Sequence, residues 1–118
     1  MSELAQIQTI IEAAFERRAD ITPSNADAAV REAVQTAIAL LDSGQARVAE
    51  RRGVGNWVVN EWLKKAVLLS FRINDNQVLS DGYNTYYDKV PSKFSSMSAE
   101  QLAQGGVRVV PNAVARKG

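Results

Sequence analysis

At 118 residues the chain has room for one hydrophobic core and hardly for two, and 46% apolar with 23% charged residues excludes a disordered or collagen-like polymer. Fourteen Lys and Arg against thirteen Asp and Glu leave a net charge of +1, so no global field gathers nucleic acid or an anionic membrane, and any use of positive charge is local. The absence of Cys and His removes disulfides, thiolate metal sites, the commonest zinc ligand and the commonest general base, which argues against a self-contained hydrolase or metalloenzyme.

The chain opens on MSELAQIQ, which lacks the basic region and apolar core of a secretory signal, and no later run nears the roughly 20 apolar residues of a bilayer span. A cytoplasmic protein is expected. From Glu3 to about Arg18, Leu4, Ile7, Ile11, Ala14 and Phe15 recur at spacings of three and four, the signature of one helix face. Ser2 can cap this helix, and Arg17 with Arg18 suit its negative end without any ligand. TPSNAD then reads as a second helix start, with Thr22 or Ser24 as cap, Pro23 in the first turn and a capping box between Ser24 and Asp27. That helix should reach about Ser43, bury Val30, Ala33, Val34, Ala37, Ile38 and Leu41, and close on Gly44 in a left-handed cap.

QARVAERRGVGNWVVNEW changes period: Val48, Trp57 and Val59 alternate with polar neighbours about a Gly53 and Gly55 turn, which predicts a β-hairpin with Trp57 as a core anchor. Arg47, Arg51 and Arg52 gather there; basic residues on exposed strands keep sheet edges soluble, and nucleic-acid binding is the rival reading. NEWLKKAVLLSFRIND, Asn60 to Asp75, is apolar nearly all round as a helix, which predicts the central element, packed by both earlier helices and by the hairpin. Lys64, Lys65 and Arg72 share its narrow polar side, as a solvated face or as a surface for an anionic partner.

DNQVLSDGYNTYYDKVPSKFSSMS is rich in turn residues, with a tight turn at Asp81-Gly82 and an extended step at Val90-Pro91. An ordered loop with one or two short strands is expected, packed through Tyr83, Tyr86, Tyr87 and Phe94. Ser98 and Gln101 make a capping box for a short helix ending at Gly105-Gly106, and Val107 to Val110 read as a closing strand. The fold class is therefore α+β: one mostly helical small domain over residues 1–118, with a β-hairpin and short strands.

The chemistry is sparse. No motif sets up a nucleophile with a base, and no dinucleotide fingerprint, phosphate loop or carboxylate cluster for a metal occurs. Arg108 stands apart because its neighbours belong to a semi-buried strand, where a guanidinium needs a partner. That partner is an internal Asp or Glu, which spacing alone favours, or the carboxylate of a ligand.

Five stretches, IIEAAFERRADITPSNAD, AIALLDSG, WLKKAVLLSFRINDNQV, DKVPSKF and VRVVPNAVAR, resemble in order the amino-terminal domain of bacterial tetrahydrodipicolinate N-succinyltransferases, and the resemblance covers essentially the whole chain. The hairpin tip RRGVGN and the segment LSDGYNTYY are variable relative to the family. The resemblance implies an acyltransferase of lysine and diaminopimelate biosynthesis, which moves a succinyl group from the co-substrate succinyl-CoA to ring-opened tetrahydrodipicolinate. No tightly bound cofactor and no metal is implied. It also implies a homotrimer built through a left-handed β-helix domain absent from this chain, which stops about where that domain's first turn should begin. The family's substrate-binding arginine falls in the motif that reads VRVVP here, so the resemblance carries that role to Arg108 and reverses the preference for an internal partner. The family's catalytic acid lies in the absent domain, so no catalytic residue is expected here and the domain alone should be inactive. Arg116 is expected to be structural. The implied partners are a small dicarboxylate and succinyl-CoA, with neither nucleic acid nor membrane; the alternative is a free-standing helical module that binds a protein.

Overall fold

In the computed structural model, which describes residues 2–118, the first helix α1 runs Glu3–Glu16 from the predicted cap: Ser2 Oγ accepts the Ala5 N–H at 3.1 Å. Ile7, Ile11 and Ala14 are buried, whereas Leu4 in the first turn is half exposed. Arg18 closes the end as expected, donating to the Phe15 carbonyl at 2.9 Å with its guanidinium over the Phe15 ring. The start of the second helix differs from the prediction. Asn25 takes the Thr22 N–H on its Oδ1 and donates to the Asp20 carbonyl, both at 2.8 Å, so TPSN forms a turn of its own. The helix α2 (Ala28–Ser43) begins only after Asp27, whose carboxylate pairs with Arg17 at 3.3 Å and makes no cap hydrogen bond; the Ser24–Asp27 box does not form.

Gly44 ends α2 at φ 81, the left-handed cap its position demanded. The helix α3 (Glu61–Ile73) then packs against both α1 and α2, and the three bury one another along their apolar stripes. Ile11, Val34, Leu63, Leu69 and Ile73 are the largest fully buried side chains, and Trp62 and Ala66 complete the α3 contribution. α3 is central as predicted, but the expected cover from the hairpin is missing: Leu68 and Phe71 stay more than a third exposed.

The hairpin of β1 (Ala49–Gly53) and β2 (Asn56–Val59) forms with the predicted turn, Gly55 lying at φ 69. It does not cover α3. Trp57, opposite Arg51, is 62% exposed and anchors no core, because the three helices already fill the space between them and the hairpin leaves that bundle at its base. Asn60 fixes that base, donating from Nδ2 to the Arg47 carbonyl at 2.7 Å. A second hairpin, β3 (Gln77–Ser80) and β4 (Thr85–Asp88), supplies the expected short strands. Its turn is held by Asp81, whose Oδ1 accepts the Tyr83 and Asn84 N–H groups at 2.9 and 2.6 Å. The expected aromatic packing is absent from it: Tyr83 and Tyr87 are 96% and 71% exposed, since a lone two-stranded ribbon has no layer to lie against. Phe94 is half-buried in the following loop.

The short helix α4 (Ala99–Gln104) begins with the predicted capping box of Ser98 and Gln101. The fold is thus α+β, a three-helix core bearing two antiparallel hairpins and a tail. Its radius of gyration of 16.4 Å exceeds the ~13–14 Å of a compact chain of this length, which reflects hairpins that project rather than pack. No helix among the described residues is long and apolar enough to cross a membrane.

Candidate functional site

Arg108 sits on an arch rather than a strand. The chain leaves α4 through Gly106 at φ 68, runs through Val107–Val110 without regular structure or a pairing strand, and turns where Ala113 N–H donates to the Val110 carbonyl at 3.0 Å. Asn112 makes that turn at φ 74, a left-handed conformation that asparagine tolerates better than other side chains. The valines are exposed along with Arg108, so the expected semi-buried strand is corrected: no free sheet edge of this domain reaches them. Among the described residues the guanidinium has neither an ion pair nor a hydrogen bond. The four ion pairs among the described residues are Arg17–Asp27, Arg52–Glu50, Lys93–Asp42 and Arg116–Asp88.

Beyond the arch the tail folds back and is clasped. Lys93 N–H donates to the Ala115 carbonyl and Lys117 N–H to the Pro91 carbonyl, both at 2.9 Å, with Arg116 bridged to Ser92 between them. Arg116 also reaches Asp88 Oδ2 at 3.0 Å, the structural role its position suggested. Asp42, on the last turn of α2, accepts both the Lys93 ammonium and the Gly118 N–H, the latter at 2.9 Å. The Lys93 hydrogen bond, followed by that amide, holds the Asp42 carboxyl below its ordinary value. Asp88 is lowered as well, first by the Lys89 N–H and also by Val90 and Arg116.

Where the tail passes α2 and α3 it walls an open cleft of about 500 Å³, lined by the apolar Ile38, Val67, Phe71 and Val90 and by Lys89, Arg116 and Lys117. A second open cleft, about 440 Å³, lies between Phe15, Arg18, Leu68, Phe71 and Arg72. Arg108 lines neither. Three of the other basic groups singled out in the sequence have contacts of their own: Arg52 pairs with Glu50 at 3.4 Å, Arg51 turns onto the Gly53 carbonyl at 3.2 Å, and Lys65 sits 5.4 Å from the Phe15 ring centre. No group of three Asp or Glu among the described residues stands close enough to hold a metal ion.

What the arch can do chemically is therefore narrow. It offers one planar guanidinium, free of internal carboxylates, flanked by apolar side chains, which suits bidentate capture of a carboxylate. It offers no nucleophile and no base.

Residues 6–73 match the family described as Tetrahydrodipicolinate N-succinyltransferase N-terminal, more than half of the chain. The chain belongs to this family. Among relatives, the 2,3,4,5-tetrahydropyridine-2,6-dicarboxylate N-succinyltransferase of Neisseria meningitidis serogroup B is 62% identical over 112 residues, which is 95% of this chain and 41% of that protein. Proteins of the same name from Thiobacillus denitrificans and Alkalilimnicola ehrlichii are 58% and 56% identical over 115 residues, 98% of this chain and 42% of each relative. The chain thus spans about two fifths of these N-succinyltransferases; the family match over residues 6–73 lies on the three-helix core and first hairpin, while the similarity to the relatives extends over 95–98% of the chain.

Proposed function

We propose that this chain is the substrate-side domain of an acyltransferase that moves a succinyl group from succinyl-CoA to the amino group of ring-opened tetrahydrodipicolinate, a step of lysine and diaminopimelate biosynthesis in the cytoplasm. The observation that carries this reading is the family match together with relatives at 56–62% identity that bear the N-succinyltransferase name. Arg108 is assigned to a carboxylate of the dicarboxylic substrate, supported by an exposed guanidinium without an internal partner.

In the reaction the substrate nitrogen bonds to the thioester carbonyl carbon, the carbon–sulfur bond breaks, coenzyme A leaves as the thiolate and the nitrogen gives up a proton to a base. Holding the acceptor by its carboxylate removes translational and rotational freedom before that attack. The base and the donors for the oxyanion are assigned outside this chain, to a carboxy-terminal β-helix domain that also forms a homotrimer, so the isolated domain folds without turnover.

The test is to express the chain continued into a carboxy-terminal domain of the family and follow coenzyme A release that depends on tetrahydrodipicolinate. In that protein Arg108→Ala is expected to weaken substrate use by about 2–5 kcal/mol, because the substrate carboxylate and its desolvated surroundings lose their counter-charge. Unchanged kinetics in that variant would remove Arg108 from the site. A second reading, a docking module without catalysis, is favoured by the exposed Trp57, Val59, Tyr83 and Tyr87 on the two hairpins. Turnover by the continued chain would dismiss it.

A further inference from the structure

We propose that Asp42 is a positioning residue, which pins the far shoulder of the arch so that Arg108 meets a carboxylate in one fixed place. The proposal rests on the substrate reading of Arg108 and adds to it the group that sets where the guanidinium stands.

The arch needs such a device. Val107–Val110 have no strand partner, and ordering an unpaired backbone costs conformational entropy at every residue, so the conformation of the segment is set from its two ends. The near end is fixed by α4, where Gly105 N–H donates to the Gln101 carbonyl at 3.0 Å and Gly106 N–H to the Ala103 carbonyl at 3.2 Å. The far end is fixed by the two backbone bonds that join Ala115 and Lys117 to the 91–93 loop. That loop is no anchor by itself. Lys89 ties the segment before it to the Phe71 carbonyl of α3, and both the loop and the tail are tied to α2 at one atom, Asp42 Oδ1, which accepts the Lys93 ammonium from the loop and the Gly118 N–H from the tail.

Asp42 is well placed for this. It sits on α2, whose buried face is part of the core, and its side chain is 29% exposed, with Lys93 at 27%, so solvent screens the pair less than a pair on the open surface. The contacts lie 51 and 76 residues away in sequence, so they tie the tail across the domain rather than within one element.

The test compares Asp42→Asn, Asp42→Glu and Arg108→Ala. In this chain, amide exchange by NMR should show the Lys93, Lys117 and Gly118 amides losing protection by about tenfold in Asp42→Asn, while Leu63 and Leu69 in the core keep theirs. In the chain continued into a carboxy-terminal domain, Asp42→Asn should raise KM for the dicarboxylate by roughly tenfold with kcat within about twofold, and Asp42→Glu should restore most of it. Unchanged tail exchange in Asp42→Asn overturns the proposal, and so does a loosened tail with unchanged KM. If Arg108→Ala leaves KM unchanged, the substrate reading itself fails and the positioning role with it, even where the tail has loosened.

Discussion

Arg31 reaches from α2 to the end of α3, donating to the Ile73 carbonyl at 2.9 Å and to the Pro23 carbonyl at 3.0 Å. The last carbonyls of a helix have no partner within it, and a cation there also meets the negative end of the helix dipole. Lys89 does the same for Phe71 and Asn74 for Ser70, both at 2.9 Å, so the end of α3 is closed by three side chains from three parts of the chain. In the sequence Arg31 is one polar position among others on α2, because nothing in its local spacing says which carbonyls lie above it. Arg31→Ala should lower stability by about 1.5–3 kcal/mol, the range for hydrogen bonds from a charged donor. Arg47→Ala, in the exposed loop before β1, should stay within ~0.5 kcal/mol. Urea midpoints of the two variants check the contrast; equal shifts would deny Arg31 its closing role.

At the scale of elements, the two tryptophans divide the molecule. Trp62 is 7% exposed within the helical core, whereas Trp57 on β2 is 62% exposed. Alternation along a strand says that Trp57 and Val59 share a face, yet it cannot say whether anything lies against that face. The helices answer differently because each has two partners of its own kind, and a hairpin that projects from them has none. Native emission should therefore contain a solvent-quenched component from Trp57 and a shielded one from Trp62. Trp57→Phe should remove the component quenched by iodide and shift the remaining spectrum to the blue, with stability changed by less than about 0.5 kcal/mol. A tryptophan spectrum wholly shielded from iodide would mean that the hairpin packs after all.

Over the whole molecule, charge and burial are separated. No polar or charged side chain is buried among the described residues, so the interior of the helical core is apolar throughout. The carboxylates with altered titration all lie in or against the periphery. Asp42 is lowered by Lys93, Asp81 by the Asn84 N–H and then the Tyr83 N–H, and Asp88 by the Lys89 N–H. A carboxyl whose pKa is lower in the folded state stabilises that state above its ordinary value and ceases to do so as pH falls through the lowered one. Acid below the ordinary aspartate range should thus loosen the tail and the β3–β4 turn while the three helices persist. Amide exchange of Tyr83, Asn84, Lys117 and Gly118, followed beside far-ultraviolet circular dichroism, reads both parts. Loss of the helical signal together with tail protection, in one step, would contradict this separation.

By itself the sequence determined the three helices, the Ser2 cap, the Gly44 closure, the Ser98–Gln101 capping box and both hairpin turns, since each depends on residues within a few positions of one another. It also placed the chain in its family through motifs such as WLKKAVLLSFRINDNQV, which local pattern preserves. Only the tertiary structure decided that Trp57 faces solvent, that Val107–Val110 form an arch instead of a strand, and that Arg108 has no carboxylate from its own domain among the described residues. The reason is the same in each case. Periodicity reports which side chains point the same way, whereas what stands opposite them is set by contacts such as Lys93 to Asp42 and Arg116 to Asp88, which join residues 51 and 28 positions apart.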